Sequence, residues 1–288
     1  LAATQTIQDM FNKWFPEFQK IQIQAEGGLS DEIRRTADVG VFFSGGVDSF
    51  YTLLKHQDEI TKIIFVHGFD ILLERTSLRS KVSKEIRKIA RELGKSLIEV
   101  EINVHELFDQ YADFVKHYGG SVLPSIGLLL SPQFRKIYIP ASNPYDYLFP
   151  DSSHPLLDPL WSTEILTFEH DGCEANRIEK IVRITQSEIA IRTLRVCFNN
   201  RDDSYNCGQC EKCLRTMVGL HVVGALERCT TFNQKLDIDA VSRIEIDRDC
   251  ILQYPEENLR VLEDSGNDPA LAEALRFSIN SYKYKKIA

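Results

Sequence analysis

Val39-Gly40-Val41-Phe42-Phe43-Ser44-Gly45-Gly46-Val47-Asp48-Ser49-Phe50-Tyr51 is the stretch on which the fold turns. Residues 39–43 are apolar, with β-branched and aromatic side chains, and read as a short buried strand. Phe50, Tyr51, Leu53 and Leu54 then recur at helical spacing. The two glycines therefore sit at a strand-to-helix turn.

The same alternation continues downstream. A second apolar run at 63–66 ends at His67-Gly68-Phe69-Asp70. Residues 76–93 then carry Leu78, Val82, Ile86, Ile89, Ala90 and Leu93 on one helical face. Gly94 is a helix stop, and 96–102 read as a third strand. Strand and helix in alternation predict an α/β, Rossmann-like fold: a parallel sheet with helices on both faces. Residues 105–130 predict one or two helices, and 136–141 a fourth strand. That strand leads into a proline-rich stretch, 143–161, read as a long loop of the lid or substrate-binding kind. Helical patterns resume at 174–184, 187–194 and 211–226. Met10, Phe11, Trp14, Phe15 and Phe18 predict an N-terminal helix packed on the core, ahead of a turn at Gly27-Gly28. The expected division is a helical extension at 1–35, the α/β domain at 36–196, and a four-cysteine, metal-binding helical region at 197–288.

Bulk properties narrow the function. The 288 residues carry a net charge of -8, which argues against a general nucleic-acid binder, because a phosphate backbone needs a basic surface. The longest apolar runs, such as 126–130, fall far short of the ~20 residues of a membrane helix, and no secretory signal pattern opens the chain. A cytoplasmic location and no membrane partner are expected. Seven cysteines, bunched and odd in number, are unlike an extracellular disulfide framework and suit metal ligation.

A helix start carries partial positive charge on its free N–H groups, and glycines let a phosphate approach them closely. Ser44-Gly45-Gly46-Val47-Asp48-Ser49 thus reads as an anion site, with Ser44 and Ser49 as extra hydroxyl donors. Asp48 does not favour a bare anion, so it implies magnesium or a hydrogen-bonding duty beside the phosphates. The five fixed letters would arise by chance in about three of ten thousand chains this long. A capped tight turn is the plainer alternative. The Gly-Lys-Ser/Thr signature of a Walker loop is absent.

Cys197, Cys207, Cys210 and Cys213 follow Cys-x9-Cys-x2-Cys-x2-Cys, short intervals that aim thiolates at one point and suit tetrahedral zinc. Four cysteines would close the coordination sphere and make the ion structural. An iron–sulfur cluster is the competing occupant. Cys173, Cys229 and Cys250 are expected to be packing residues.

In its glycine loop the chain resembles the PP-loop ATP pyrophosphatases, whose members share Ser-Gly-Gly-x-Asp-Ser. Among them it is most similar to 7-cyano-7-deazaguanine synthases, which also carry Cys-xn-Cys-Gly-x-Cys-x-x-Cys late in the chain. Here that reads Cys197 … Cys207-Gly208-Gln209-Cys210-Glu211-Lys212-Cys213, and the resemblance spans about residues 38–226. It implies a HUP-type fold and ATP, magnesium and zinc as cofactors. It also implies that Ser44, Gly45, Gly46, Val47, Asp48 and Ser49 hold the β,γ-phosphates, with Asp48, Ser44 and Ser49 catalytic, and that Val66, His67 and Gly68 flank the adenine. The expected activity is adenylation of a carboxylate or carbonyl oxygen of a small, purine-like substrate, with pyrophosphate released and ammonia or an amine as the displacing nucleophile. Sulfur transfer from a donor to a nucleobase-like acceptor, through Cys173, is an alternative. A non-catalytic ATP-sensing interaction module is another. A homodimer is compatible with the reading. The chain departs from these synthases in its 43 preceding residues, its C-terminal segment, Phe50 in place of Thr, and the loop Pro140-Ala141-Ser142-Asn143-Pro144-Tyr145-Asp146-Tyr147.

Several further residues are candidates. His154, Asp158, His170 and Asp171 suit acid–base or magnesium roles, or else plain turn-capping. Arg177 and Lys180 on a helix could reach pyrophosphate or a carboxylate, and Arg192, Arg195, Lys212 and Arg215 could rim an anionic substrate.

Overall fold

The computed structural model describes residues 3–24 and 37–287; the Gly27-Gly28 turn lies outside them. Strands β1 (Val39–Phe42), β2 (Lys62–His67), β3 (Ser96–Glu101), β4 (Lys136–Pro140) and β5 (Thr167–Asp171) form one sheet in the order β3-β2-β1-β4-β5. Every neighbouring pair is parallel. Such an arrangement is that of a Rossmann-like or HUP-type sheet. Its order reverses between β1 and β4, and a crevice opens there at the carboxyl ends of the strands.

Alternation along the strands supplies two cores. Val39, Val41, Ile63, Phe65 and Tyr138 face one side. There they meet helices α2 (Val47–Lys55), α3 (Thr76–Glu92), α6 (Arg177–Ile184), α7 (Glu188–Thr193) and α8 (Glu211–Val222). Phe42, Ile64, Ile137, Ile139 and Phe168 face the other, against Val104 of α4 (Val104–Phe108) and Val122 and Ile126 of α5 (Gly119–Leu129). The first of these cores runs without a break from the sheet through Cys197 and Cys213 to Met217 and Leu220. The four-cysteine region is therefore built onto the sheet's own packing. Leu214 and Val218 of α8 turn the opposite way, onto a smaller cluster with α9 (Ile238–Ser242), α10 (Asp249–Ser265) and α11 (Pro269–Ile287).

Helix α1 (Thr4–Trp14) buries Ile7 and lays Trp14 on His154, ring centroids 5.0 Å apart. It thereby packs on the β4–β5 connection, which is more ordered than the sequence suggests. That connection contains two 3₁₀ turns, Tyr145–Tyr147 and Asp158–Trp161. Its centre is the fully buried Asp158, which accepts from Ser153 Oγ at 2.8 Å and His170 Nδ1 at 2.7 Å. The edge strand β5 is not foreseen by the sequence reading, because Phe168 is its single apolar residue. Among the described residues no helix is long and apolar enough to cross a membrane.

Gly68 has φ +82°, and a Cβ there would lie 1.8 Å from the carbonyl oxygen of Ile102. The turn it starts is closed by Gly68 N–H donating to Ile71 O at 3.0 Å. Backbone packing alone thus demands glycine. Gly68→Ala is expected to lower stability by at least about 2 kcal/mol in urea denaturation; an unchanged midpoint would mean that this packing does not fix the turn.

Candidate functional site

The glycine loop leaves β1 at the reversal of strand order. Gly45 adopts φ +81°, a conformation that L side chains rarely take. Its carbonyl accepts the Arg195 N–H at 2.8 Å. Gly46 caps α2 with extended backbone and no side-chain cap, so the helix's first amides are left for a ligand. Ser44 Oγ accepts the Gly46 N–H at 3.3 Å, and Ser49 Oγ donates to Gly46 O at 3.1 Å.

A cavity of about 750 Å³ opens in front of this loop. Ser44, Gly46, Val47 and Asp48 form one wall, and Ser142 and Asn143 after β4 adjoin it. Arg177, Arg195, Lys212 and Arg215 supply positive charge. The N-termini of α2, α6, α8 and α10 all reach this space. Of these, α2, α8 and α10 lack a side-chain cap, whereas α6 is closed by an Asn176–Glu179 capping box. Free helix-end amides and these cations can engage an anion, in a cavity that Asp48, Asp70, Asp151, Glu211, Glu245 and Asp247 also line.

Asp48 is clamped from both sides. Its Oδ2 accepts from Arg177 Nη1 and its Oδ1 from Lys180 Nζ, each at 3.1 Å. Lys180 is fully buried and also donates to Ala141 O at 2.6 Å, at the end of β4. Burial pushes the Asp48 carboxyl up, but the two cations outweigh it and hold the group below the usual carboxylate range. Tyr254 of α10 stacks under Arg215, 3.9 Å from ring centroid to guanidinium, and reaches Arg177 at 5.1 Å. The Nε atoms of Arg177 and Arg195 are buried without a hydrogen-bond partner.

The sulfurs of Cys197, Cys207, Cys210 and Cys213 lie within 4.8 Å of one another. Cys207 and Cys213 sulfurs are 3.9 Å apart, close to the edge of about 3.8 Å in a tetrahedron with metal–sulfur bonds of about 2.3 Å. Cys207 Sγ accepts the Cys210 N–H at 3.3 Å, the kind of support that orients a thiolate ligand. The four thiols can bind zinc.

Of the residues predicted from sequence, Ser44, Gly46, Val47 and Asp48 line the cavity, while Gly45 and Ser49 brace the loop from behind. Val66, His67 and Gly68 do not line it. His67 pairs with Glu99 at 2.8 Å in a separate groove with Arg79, Ser83 and Arg87. Arg192 turns away to Glu92 at 3.7 Å. Asp171 holds Thr52, Lys55 and His56, and Cys173 is buried. Cys250, expected to be a packing residue, instead lines the cavity with Arg248, Ile251 and Tyr254. Cys250 and Tyr254 stand four apart on α10, a spacing that puts them on one face, although nothing local says that the face turns inward. Asp151 is a further lining residue absent from the sequence reading, its carboxyl pushed up to about 7 by burial.

No protein-family model, no curated protein and no solved structure matches the chain.

Two tests follow from this geometry. Metal analysis of the purified chain is expected to find one zinc per chain, and Cys213→Ser to lose it with a fall in melting temperature; a metal-free wild type with unaltered melting would contradict the site. For His170, burial pulls the pKa down but Asp158 and Cys173 outweigh it, leaving it pushed up to about 9. The resulting stabilisation is full below the unfolded value near 6.5 and is lost as pH rises through about 9. Wild type is expected to lose about 2–3 kcal/mol over that window relative to His170→Gln; parallel pH profiles would refute the pairing.

Proposed function

We propose that the chain is an AMP-forming enzyme of the PP-loop kind. The observation that carries this reading is the uncapped α2 N-terminus opening, through Gly45-Gly46, into a cavity walled by Arg177, Arg195, Lys212 and Arg215. A polyphosphate is the ligand that such a wall suits. The loop amides and Ser44 hold the β,γ-phosphates of ATP. An oxygen of the acceptor's carboxylate or carbonyl attacks the α-phosphorus, the bond to the β-phosphate oxygen breaks, and pyrophosphate leaves. Ammonia or an amine then adds to the activated carbon, loses a proton, and expels AMP.

Asp48 fits magnesium only as part of a donor set. Each of its oxygens already accepts from one cation, which leaves lone pairs for one further contact, and the phosphates supply the remaining oxygens. When bound there, magnesium neutralises charge on the departing pyrophosphate. Arg177 and Lys180 keep Asp48 ionised and aimed. The zinc-binding cysteines have a structural part, shaping the wall that bears Arg195 and Lys212.

Sulfur transfer is favoured less. Cys250 is the one cavity-lining thiol outside the cluster among the described residues, and burial pushes it up, which keeps it protonated and a poor nucleophile at neutral pH.

The test is product analysis after incubation with magnesium, ATP, ammonium and heteroaromatic acids of the 7-carboxy-7-deazaguanine kind. AMP and pyrophosphate are expected, with Asp48→Ala lowering turnover on the order of 10²-fold or more. ADP as the product would contradict the mechanism.

A further inference from the structure

Most of the acids that line the cavity are paired with a cation. Asp48 is clamped by Arg177 and Lys180, Glu211 faces Arg215 at 3.4 Å, and Asp247 pairs with Arg248 at 3.3 Å. Asp70 lies in the field of Lys212, and Glu245 is exposed. Asp151 differs from all of these. Among the described residues no ion pair engages it, and burial pushes its carboxyl up to about 7 against the pull of the Ser152 and Ser153 amides. Its place is fixed from behind. Ser152 donates its N–H to Asp151 Oδ1 at 2.6 Å, and its buried hydroxyl donates to Val115 O and accepts the Gly120 N–H, both at 2.8 Å. A Cβ on Gly120 would lie 2.1 Å from the Ser152 main chain, so this loop sits on the first turn of α5 without slack.

Charge separates this part of the wall from the phosphate loop. A carboxyl with no cation beside it disfavours a polyphosphate and favours a cationic, proton-bearing group. In the adenylation reading the reactant of that kind is the nitrogen nucleophile, which at neutral pH is ammonium or a protonated amine and must lose a proton before it attacks. The charged and titratable groups on the elements around Asp151 are few. Asp158, itself paired with His170, pushes it in the same direction as burial. Cys250 lies near it on α10, with Asp247 and Arg248. Beyond Val115 stand Asp113, Lys116 and His117, the last two directed to Glu17 at 3.9 and 3.6 Å.

We propose that Asp151 receives the nitrogen nucleophile in its protonated form, takes one proton from it and releases it as the free amine toward the activated carbon. The inference rests on the adenylation reading and gives the second step of that reaction its base. With ammonium, one proton passes to an Asp151 carboxylate oxygen, and the freed lone pair forms the C–N bond. The C–O bond to AMP then breaks with its electron pair on the phosphate oxygen, and a second N–H proton leaves to water. The carboxylate is the accepting form, so the base is available above about pH 7 and is lost as pH falls through that value.

Asp151→Asn in the zinc-loaded full chain tests it, with magnesium, ATP and 7-carboxy-7-deazaguanine. Exchange of labelled pyrophosphate into ATP reads the first step. Amide formed from ammonium, against hydroxamate formed from hydroxylamine, reads the second, because hydroxylamine is largely unprotonated at neutral pH and needs no base to free its lone pair. The variant is expected to keep exchange and hydroxamate formation within about threefold of wild type and to lose amide formation at pH 7 on the order of 10²-fold. At saturating ammonium the wild-type rate should level off above about pH 7, whereas the variant's goes on rising with free ammonia. Amide and hydroxamate lost together, or matching pH profiles, overturn the base role. Exchange present in wild type but lost in the variant overturns it as well and assigns Asp151 to the first step. No exchange in wild type overturns the adenylation reading and the inference with it.

Discussion

Asp48 held between Arg177 and Lys180 is the contact on which the rest of the site depends. It joins the first turn of α2, just after the glycine loop, to α6, and through Lys180 to the carbonyl of Ala141 at the end of β4. These are the two sides of the crevice where strand order reverses. Isolated, the fully buried lysine would cost several kcal/mol in desolvation; the half-buried Asp48 carboxylate and the Ala141 carbonyl offset that cost. Removing Asp48 would leave the fully buried Lys180 ammonium with the Ala141 carbonyl alone. The clamp therefore sets the crevice geometry before any ligand arrives, and it presents a carboxylate that is ionised throughout the neutral range.

A second tie runs from the loop to the cysteine region through the Arg195 N–H and Gly45 carbonyl. Because Gly45 holds positive φ where its carbonyl meets Arg195, the glycine serves the segment that carries Arg195 and Cys197 as well as the ligand. The metal cluster and the anion cavity consequently share a wall. Zinc at the four thiols would act on function by holding Arg195 and Lys212 in place, with no coordination position left for substrate.

How far the fold could be read in advance follows from where its signals are local. Strands β1, β2 and β4 and helices α2 and α3 are legible because these strands are buried on both faces, and a continuous apolar run says so within a few residues; the half-buried edge strand β3 is legible from Leu97, Ile98 and Val100 just after the helix stop at Gly94. The glycine loop and the Cys-x2-Cys-x2-Cys spacing are legible for a similar reason: their geometry is set by neighbours in sequence. β5 was not, since an edge strand reading Thr-Phe-Glu-His-Asp has one inward apolar residue and its pairing with β4 is decided at long range. His67 and Gly68 sit at a strand end as expected, but the glycine answers to the Ile102 carbonyl and the histidine to Glu99. The far wall, with Asp151, Cys250 and Tyr254, is built by a loop and a C-terminal helix whose inward faces depend on docking. No pattern in those segments alone identifies them.

The central claim is that the loop after β1 holds the two terminal phosphates of ATP. Competition calorimetry in low salt puts it to the most direct test, by titrating ATP with magnesium into protein already saturated with pyrophosphate. The account requires that pyrophosphate bind once per chain and that ATP binding then weaken in proportion to the pyrophosphate present, because both ligands need the same amides. ATP binding unaffected by saturating pyrophosphate would place the terminal phosphates elsewhere and contradict the account.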